Sequence, residues 1–191
     1  MILIVGLGNP EKKYDGTRHN VGFAALDHFA NEIKTEFKMS EKFNAKLAEA
    51  TVTFPGEKKH CRVLLVKPHT YMNLSGDSVS KIVNFYKIRT EDQLWVIHDD
   101  LDIEIGTLRI RLNGSSAGQK GIGSIIERLG TDTFVRFRVG IKPEGGQNKP
   151  AEQFVLEKFR PEEKKIITTE IKQLSEILLD SLDKGIVKTS L

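Results

Sequence analysis

The sequence predicts an α/β fold built as a single domain. Short apolar runs typical of buried strands alternate along the chain with longer segments in which apolar residues recur at helical spacing. The length of 191 residues fits one domain, 1–191. A hydrophobic share of 39% beside a charged share of 29% is enough to bury a core and excludes a disordered chain.

Strands are predicted where apolar residues run together or alternate with polar ones. The first apolar run is followed by Gly6 and stops in a turn at Asn9-Pro10. Residues 55–57, Pro-Gly-Glu, form a hairpin signal between the second and third strands. The predicted strands are residues 2–5, 47–54, 62–67, 94–97, 107–112 and 134–141.

Helices are predicted where apolar residues recur every three or four positions. Ser75 is a candidate N-cap for the second helix. The last helix follows Pro161, is long and amphipathic, and has Gly185 where its C-terminal end is expected. The predicted helices are residues 21 to about 38, a segment beginning near Ser75, residues 122–129, and the C-terminal amphipathic helix after Pro161.

Composition and charge exclude several classes of protein. The net charge of +3 excludes a polybasic, histone-like binder but leaves room for a local positive patch. Cys61 is the single cysteine, so no internal disulfide forms, and we expect no Cys-rich metal site. The first six residues lack a basic leader and the chain lacks a long apolar run. We therefore expect neither a secretory signal nor a membrane span, and a soluble cytoplasmic protein.

Polar side chains follow two of the predicted strands, at the sheet edge where α/β folds bind ligands. Asn9 follows the first strand and Asp99 follows Ile97. His19, just before the first helix, is the side chain type best suited to general-base work near neutral pH. An aspartate such as Asp99 that accepts its imidazole N–H would orient the ring. The alternatives are a turn at Asn9, a capping or core histidine, and a solvated acidic loop.

Two predicted strands carry arginines on one face each. Arg109 and Arg111 alternate with apolar residues, as do Arg136 and Arg138. If the strands are neighbours, these guanidinium groups form a patch suited to phosphate, although an ordinary solvated sheet face has the same pattern. The Gly-rich loop 114–121 precedes a helix and is either an anion site or a flexible connector.

The pair Gly6-Leu7-Gly8 raises a second class of function, a nucleotide-dependent oxidoreductase. The dinucleotide-binding fingerprint needs a third glycine at position 11, and this chain has Glu11 there. The match is therefore poor.

Four segments of the chain together form a set of ordered motifs. They are residues 4–10 with Tyr14 and residues 17–22, residues 68–76, residues 98–102 with Gly106, and residues 114–121. In order and spacing they closely resemble the motifs of bacterial peptidyl-tRNA hydrolases, and the resemblance runs from Met1 through the C-terminal helix.

The resemblance implies a mixed, twisted β-sheet flanked by α-helices. It also implies hydrolysis of the ester between a peptide's C-terminus and the 3′ ribose of tRNA, which releases free tRNA and peptide. The expected partner is peptidyl-tRNA, and the family is typically monomeric, cytoplasmic and free of metals, with no cofactor. A lid over the peptide groove is expected at residues 142–160.

Site residues follow from the resemblance. His19 would be the general base that activates water, and Asp99 the carboxylate that holds it. Asn9 would contact the peptide-bearing end of the substrate, and Asn73 would bind substrate or position the water. Tyr14 and Tyr71 would line the site for the terminal adenosine, while Arg111 and Arg138 would contact tRNA phosphates.

The chain departs from the family pattern at two places. Glu11 stands where the family usually has glycine, and we expect this to alter only a turn. Gln119-Lys120 stands where the family commonly has His-Asn, so the role of that asparagine does not carry over. We expect Lys120 to contact phosphate instead. A non-catalytic RNA-binding protein on the same fold is the alternative that this second departure favours.

Overall fold

In the computed structural model, which describes residues 1–54 and 60–186, seven strands form one mixed sheet. The strands are β1 (Ile2–Gly6), β2 (Lys38–Ser40), β3 (Ala45–Thr53), β4 (His60–Pro68), β5 (Leu94–Glu104), β6 (Leu108–Arg111) and β7 (Val135–Lys142). Their order across the sheet is β2-β3-β4-β1-β5-β7-β6. The predicted α/β fold with a mixed sheet is confirmed.

The four central strands, β4, β1, β5 and β7, are parallel. Strands β3 and β6 run antiparallel to them, and β2 pairs antiparallel with β3. Val5 of β1 lies in register between Val66 of β4 and Val96 of β5. After β1 the chain forms β2, β3 and β4 on one side of this strand, and it then forms β5, β6 and β7 on the other side. The carboxyl ends of the parallel strands meet at this point, which is where α/β sheets bind ligands.

Helices cover both faces of the sheet. The helices are α1 (Val21–Glu32), α2 (Ser75–Tyr86), α3 (Thr90–Gln93), α4 (Lys120–Leu129), α5 (Ala151–Phe154) and α6 (Pro161–Lys184). The apolar sides of α1 and α6 pack on one face and those of α2 and α4 on the other. Burial on both faces explains why the central strands read as continuous apolar runs. Among the described residues, no helix is long and apolar enough to cross a membrane.

Two predicted elements differ from the structure by more than two residues at one end. The helix predicted from residue 21 to about 38 ends at Glu32, and the chain turns at Lys34, whose φ is +55°, before β2 begins. The strand predicted at 94–97 continues to Glu104, because its backbone pairs with β7 through Asp100 although its side chains have become polar. The hairpin signal at 55–57 lies outside the described residues.

The first glycines of the chain allow α1 to approach β1 closely. A Cβ on Gly6 would lie 2.3 Å from the carbonyl oxygen of Gly22, and one on Gly8 would lie 2.7 Å from the Phe23 ring. Both contacts are too short for any larger residue. These glycines therefore serve helix packing, which accounts for the pattern that suggested dinucleotide binding.

A buried ion pair ties the start of α1 to the start of α6. Nη2 of Arg18 donates to Oε2 of Glu163 over 2.7 Å, and the guanidinium lies 4.0 Å from the centre of the Phe154 ring. The same Glu163 carboxylate also accepts the backbone N–H of Arg160 over 2.7 Å. The segment between α5 and α6 is thereby fastened to the residue that precedes His19.

Glu170 is a second buried carboxyl group on α6. No basic side chain of the described residues is among the groups that shift its pKa. Glu170 accepts the backbone N–H of Gly106 over 3.1 Å. Burial raises the pKa of Glu170 to about 8 in spite of the backbone N–H groups that stabilise its charge. The folded protein therefore holds a proton on Glu170 that the unfolded chain releases at a pH near 4.5.

Glu170 is expected to make stability fall with rising pH between about 4.5 and 8, by at most about 1.4 kcal/mol per pH unit, because the folded state binds the extra proton there. Glu170→Gln is neutral at every pH, so its advantage over the wild type should grow across this window and level off above pH 8. Urea unfolding at several pH values measures the difference. Glu176→Gln, on the exposed side of the same helix, is the control, and parallel curves for Glu170→Gln and wild type would refute the assignment.

Glu163→Leu is expected to lower the free energy of unfolding by about 3–5 kcal/mol, because it removes the buried carboxylate 2.7 Å from the Arg18 guanidinium and leaves only the more exposed Glu157 carboxylate, 3.8 Å away. Chemical denaturation measures the loss. Asp180→Ala removes an exposed ion pair to Lys184 on the same helix and should cost far less. A Glu163→Leu variant as stable as Asp180→Ala contradicts the structural role given to this pair.

Candidate active site

A cavity of about 690 Å³ opens at the carboxyl ends of the central strands. Its walls come from the loop after β1, the turn after β4, the end of β5, the start of α4 and the segment around α5. Of the predicted site residues, those that line it are Asn9, His19, Tyr71, Asn73, Asp99 and Lys120. The structure therefore brings six predicted side chains together at the sheet edge that the sequence indicated.

His19 and Asp99 form a hydrogen bond in the cavity wall. Nδ1 of His19 lies 2.8 Å from Oδ2 of Asp99, and both side chains are buried. The backbone N–H of His19 donates to the carbonyl of Val155 over 2.8 Å, which fixes the short 3-10 turn that carries the ring. Burial alone would raise the pKa of Asp99, but the interactions with His19 and the Gln119 side chain outweigh it and hold the pKa below its ordinary value.

Gln119 occupies the other oxygen of the same carboxylate. Its Nε2 donates to Oδ1 of Asp99 over 2.9 Å, and its Oε1 accepts the backbone N–H of Ile122 over 2.9 Å. The residue is buried and is the N-cap of α4. Sequence reasoning missed this contact. The signal available was its place immediately before a helix, where a side-chain oxygen commonly caps the first turn.

The loop after β1 is pinned by a second amide. Asn20 accepts the backbone N–H of Asn9 over 2.9 Å and donates to the Asn9 carbonyl over 3.0 Å. The side-chain oxygen of Asn9 accepts the backbone N–H of Met72 over 2.8 Å. That contact occupies the side-chain oxygen of Asn9 and leaves its NH₂ group as the donor. Asn20 stands in the first motif, but its anchoring role was not recognised from sequence.

Two polar contacts cross the rim of the cavity. The Tyr71 hydroxyl donates to the carboxylate of Glu11. Glu11 therefore contacts a cavity residue as well as altering a turn, and the expectation that it alters only a turn is wrong. That hydrogen bond raises the pKa of the Tyr71 hydroxyl. Nζ of Lys120 lies 2.6 Å from Oε1 of Glu152 on α5. The exposed Lys120 side chain is thus paired with a carboxylate that also lines the cavity.

Three predicted site residues lie elsewhere. Tyr14 belongs to a short turn, Lys12–Tyr14, and is not among the described residues that line the cavity. Arg111 is exposed on β6. Nε of Arg138 donates to Oδ2 of Asp100 over 2.6 Å, which places it directly behind the cavity wall.

The arginines of β6 and β7 do not form a uniform patch. In the antiparallel register Arg109 faces Arg138 and Arg111 faces Arg136, so the predicted strand neighbourhood is present. Arg136, however, is buried, and its guanidinium donates to the carbonyl of Ser115 and to that of Asp132, each over 2.9 Å. It fastens the loop before α4 and is not exposed for phosphate.

No metal centre is evident within residues 1–54 and 60–186. That part of the chain holds no group of three or more His, Cys, Asp or Glu side chains placed to bind one ion. The chemistry that the cavity offers is that of an imidazole oriented by a carboxylate, with amide donors beside it.

Comparison with known proteins gives consistent matches. A family model described as peptidyl-tRNA hydrolase matches residues 3–190. The chain is 43% identical over 186 residues to a peptidyl-tRNA hydrolase of Chlorobaculum parvum, covering 97% of this chain and 94% of that protein. It is 46% identical over 171 residues to one of Clostridium botulinum, covering 90% and 84%. A solved peptidyl-tRNA hydrolase of Acinetobacter baumannii superposes with a TM-score of 0.84 at 31% identity, over 97% of this chain and 89% of that one.

Proposed function

The chain belongs to the peptidyl-tRNA hydrolase family, and on that premise we propose that His19 is the general base of its reaction. The activity is that of a carboxylic ester hydrolase that acts on peptidyl-tRNA. The observation that carries the proposal is the 2.8 Å hydrogen bond between His19 and Asp99 in the wall of the cavity.

The hydrogen bond supports different tasks for the two ring nitrogens of His19. Nδ1 donates its proton to the Asp99 carboxylate, which leaves the lone pair of Nε2 for a water molecule in the cavity. As the water attacks the ester carbonyl, Nε2 takes its proton and the resulting imidazolium is stabilised by Asp99. The same proton then passes to the 3′ oxygen of the departing ribose. No cofactor takes part in these steps.

Asn9 and Asn73 are proposed as the amide donors of the site. The side-chain oxygen of Asn9 is occupied by Met72, so its NH₂ group is the end that meets the peptide-bearing part of the substrate. Contact there favours peptides with a blocked amino end over a free aminoacyl group. Asn73 lines the cavity from the turn after β4 and binds substrate or positions the attacking water. Each donor to a developing oxyanion is worth about 10²–10³ in rate.

The tRNA is proposed to bind along the basic residues near the cavity. Arg111 is exposed and is the direct candidate for a phosphate contact, and Lys120 stands at the rim. Arg138 would reach phosphate while remaining paired with Asp100. Tyr71, at the rim, and Tyr14, further out, would meet the terminal adenosine and the adjoining backbone.

We further propose that residues 142–160 act as a lid. The segment includes α5, and its residues Ala151, Glu152 and Val155 already line the cavity. The Lys120–Glu152 ion pair would hold the lid closed and would break when substrate arrives, so that the lid opens. We also propose that the protein acts as a monomer in the cytoplasm, where translation produces peptidyl-tRNA.

His19→Ala is expected to lower kcat/KM by about 10²–10⁴-fold while the fold is retained, because the water loses its base. Asp99→Asn should fall in the same range, since the amide does not stabilise the imidazolium. Release of labelled N-acetyl-aminoacyl-tRNA ester, with EDTA present and the unblocked aminoacyl-tRNA run beside it, measures both. His28→Ala, a histidine on α1 outside the cavity lining, is the matched control. If His19→Ala turns over substrate as fast as His28→Ala, His19 is not the general base.

Arg111→Ala is expected to weaken tRNA binding and to reduce the slope of log K against log salt by about one phosphate contact. Titration of labelled tRNA at four or more salt concentrations gives the slope. Arg89→Ala, an exposed arginine paired with Asp92 away from the cavity, should leave it unchanged. Equal slopes for Arg111→Ala and Arg89→Ala would show that Arg111 is only solvated.

A further inference from the structure

We propose that Gln119 is a positioning residue for the reaction: it couples the N-terminus of α4 to Asp99 and so holds the carboxylate in the orientation that His19 requires. The inference rests on the proposed role of His19 as general base. It assigns a task to a residue at which this chain departs from the usual His-Asn pair.

The direction of the Gln119 amide follows from its partners. The backbone N–H of Ile122 can only donate, so the end of the amide that it meets, 2.9 Å away, is Oε1. Nε2 is then the end that faces Oδ1 of Asp99, also 2.9 Å away. The helix terminus thus removes the ambiguity between the two ends of a glutamine amide.

The amide direction supports an ionised Asp99. Its Oδ1 accepts a hydrogen bond from Gln119, and its Oδ2 faces Nδ1 of His19. These interactions hold the pKa of Asp99 below its ordinary value in spite of burial, so Asp99 is a carboxylate and both of its oxygens accept. The proton shared with His19 therefore belongs to Nδ1, and Nε2 is left as the base.

Burial strengthens the effect of the hydrogen bond between Gln119 and Asp99. Gln119, Asp99 and His19 are each at most 9% exposed, so water competes little for the hydrogen bonds between them. A buried hydrogen bond to a charged group typically contributes a factor of about 10 to 100 in an equilibrium or a rate. Gln119 lines the cavity, but both ends of its amide are occupied by Asp99 and Ile122, so loss of its donor should change kcat more than KM.

The neighbouring residue does not share this role. Lys120 is exposed and its ammonium group pairs with Glu152 at the rim. A neutral histidine, like glutamine, offers one donor and one acceptor. The glutamine in this chain therefore supplies the donor and the acceptor that a histidine at position 119 would supply, and the departure does not indicate a loss of catalysis.

Gln119→Met tests the proposal, because methionine fills similar space and supplies neither hydrogen bond. We expect kcat to fall by about 10- to 100-fold while KM stays within about threefold, because the Asp99 carboxylate loses the orientation that His19 requires and this outweighs its stronger attraction for the imidazolium. The acidic limb of kcat/KM against pH should move to higher pH by about 0.5–1 unit, since a carboxylate that has lost one donor stabilises the His19 imidazolium more strongly. Gln119→His should recover most of the rate. Should the methionine variant fail to fold, Gln119→Asn carries the same test, as its shorter amide does not reach both partners.

Ser124→Ala is the matched control for a merely structural role. Ser124 lies on the same helix and its hydroxyl accepts the backbone N–H of Gly76 over 3.0 Å. Its loss should lower the melting temperature and leave the pH profile in place. The proposal is overturned if kcat of Gln119→Met lies within threefold of that of Ser124→Ala and the acidic limb of its kcat/KM profile against pH does not move.

The titration of the His19 ring by NMR, without substrate, separates this proposal from the assignment of His19 as base. A raised midpoint in Gln119→Met supports the coupling whether or not His19 performs the proton transfer. If His19→Ala is active, the base assignment fails and the NMR midpoint alone decides on Gln119. An unchanged midpoint overturns the coupling.

Discussion

Asp99 is a buried carboxylate at the carboxyl end of a central strand, and a charge in that position persists only if both of its oxygens accept hydrogen bonds. Two separate parts of the chain meet this requirement. The turn before α1 supplies His19 and the start of α4 supplies Gln119. The need to satisfy one carboxylate therefore brings three elements to one point, and the cavity forms where they meet.

The rest of the fold keeps this arrangement rigid. The Gly6–Gly22 contact seats α1 on β1, so the turn that carries His19 starts from a fixed place. Arg18, the residue before His19, is buried against Glu163, 145 residues further along the chain. The long C-terminal helix thus contributes to the site without lining it. Preorganisation of this kind is what an oriented base requires, because the ring has to be in place before substrate arrives.

Much of this fold can be predicted from sequence, because strands buried on both faces leave continuous apolar runs and α6 leaves a long amphipathic pattern. The end of β5 cannot, since its polar residues are kept in the sheet by backbone pairing with β7. The strand-end rule finds Asn9 and Asp99, and the chemistry of imidazole finds His19 as the candidate partner of Asp99. Gln119 and Asn20 escape it, since each acts on a partner distant in sequence. The arginine periodicity likewise does not separate buried Arg136 from exposed Arg111.

In the proposed mechanism, the hydrogen bonds around Asp99 determine which nitrogen of His19 is free to act as a base. The ¹⁵N chemical shifts of the His19 ring, recorded without substrate at a pH where the ring is neutral, report the position of its proton. We expect the proton on Nδ1 and a lone pair on Nε2. A ring protonated on Nε2, with Nδ1 bare toward Asp99, would contradict it.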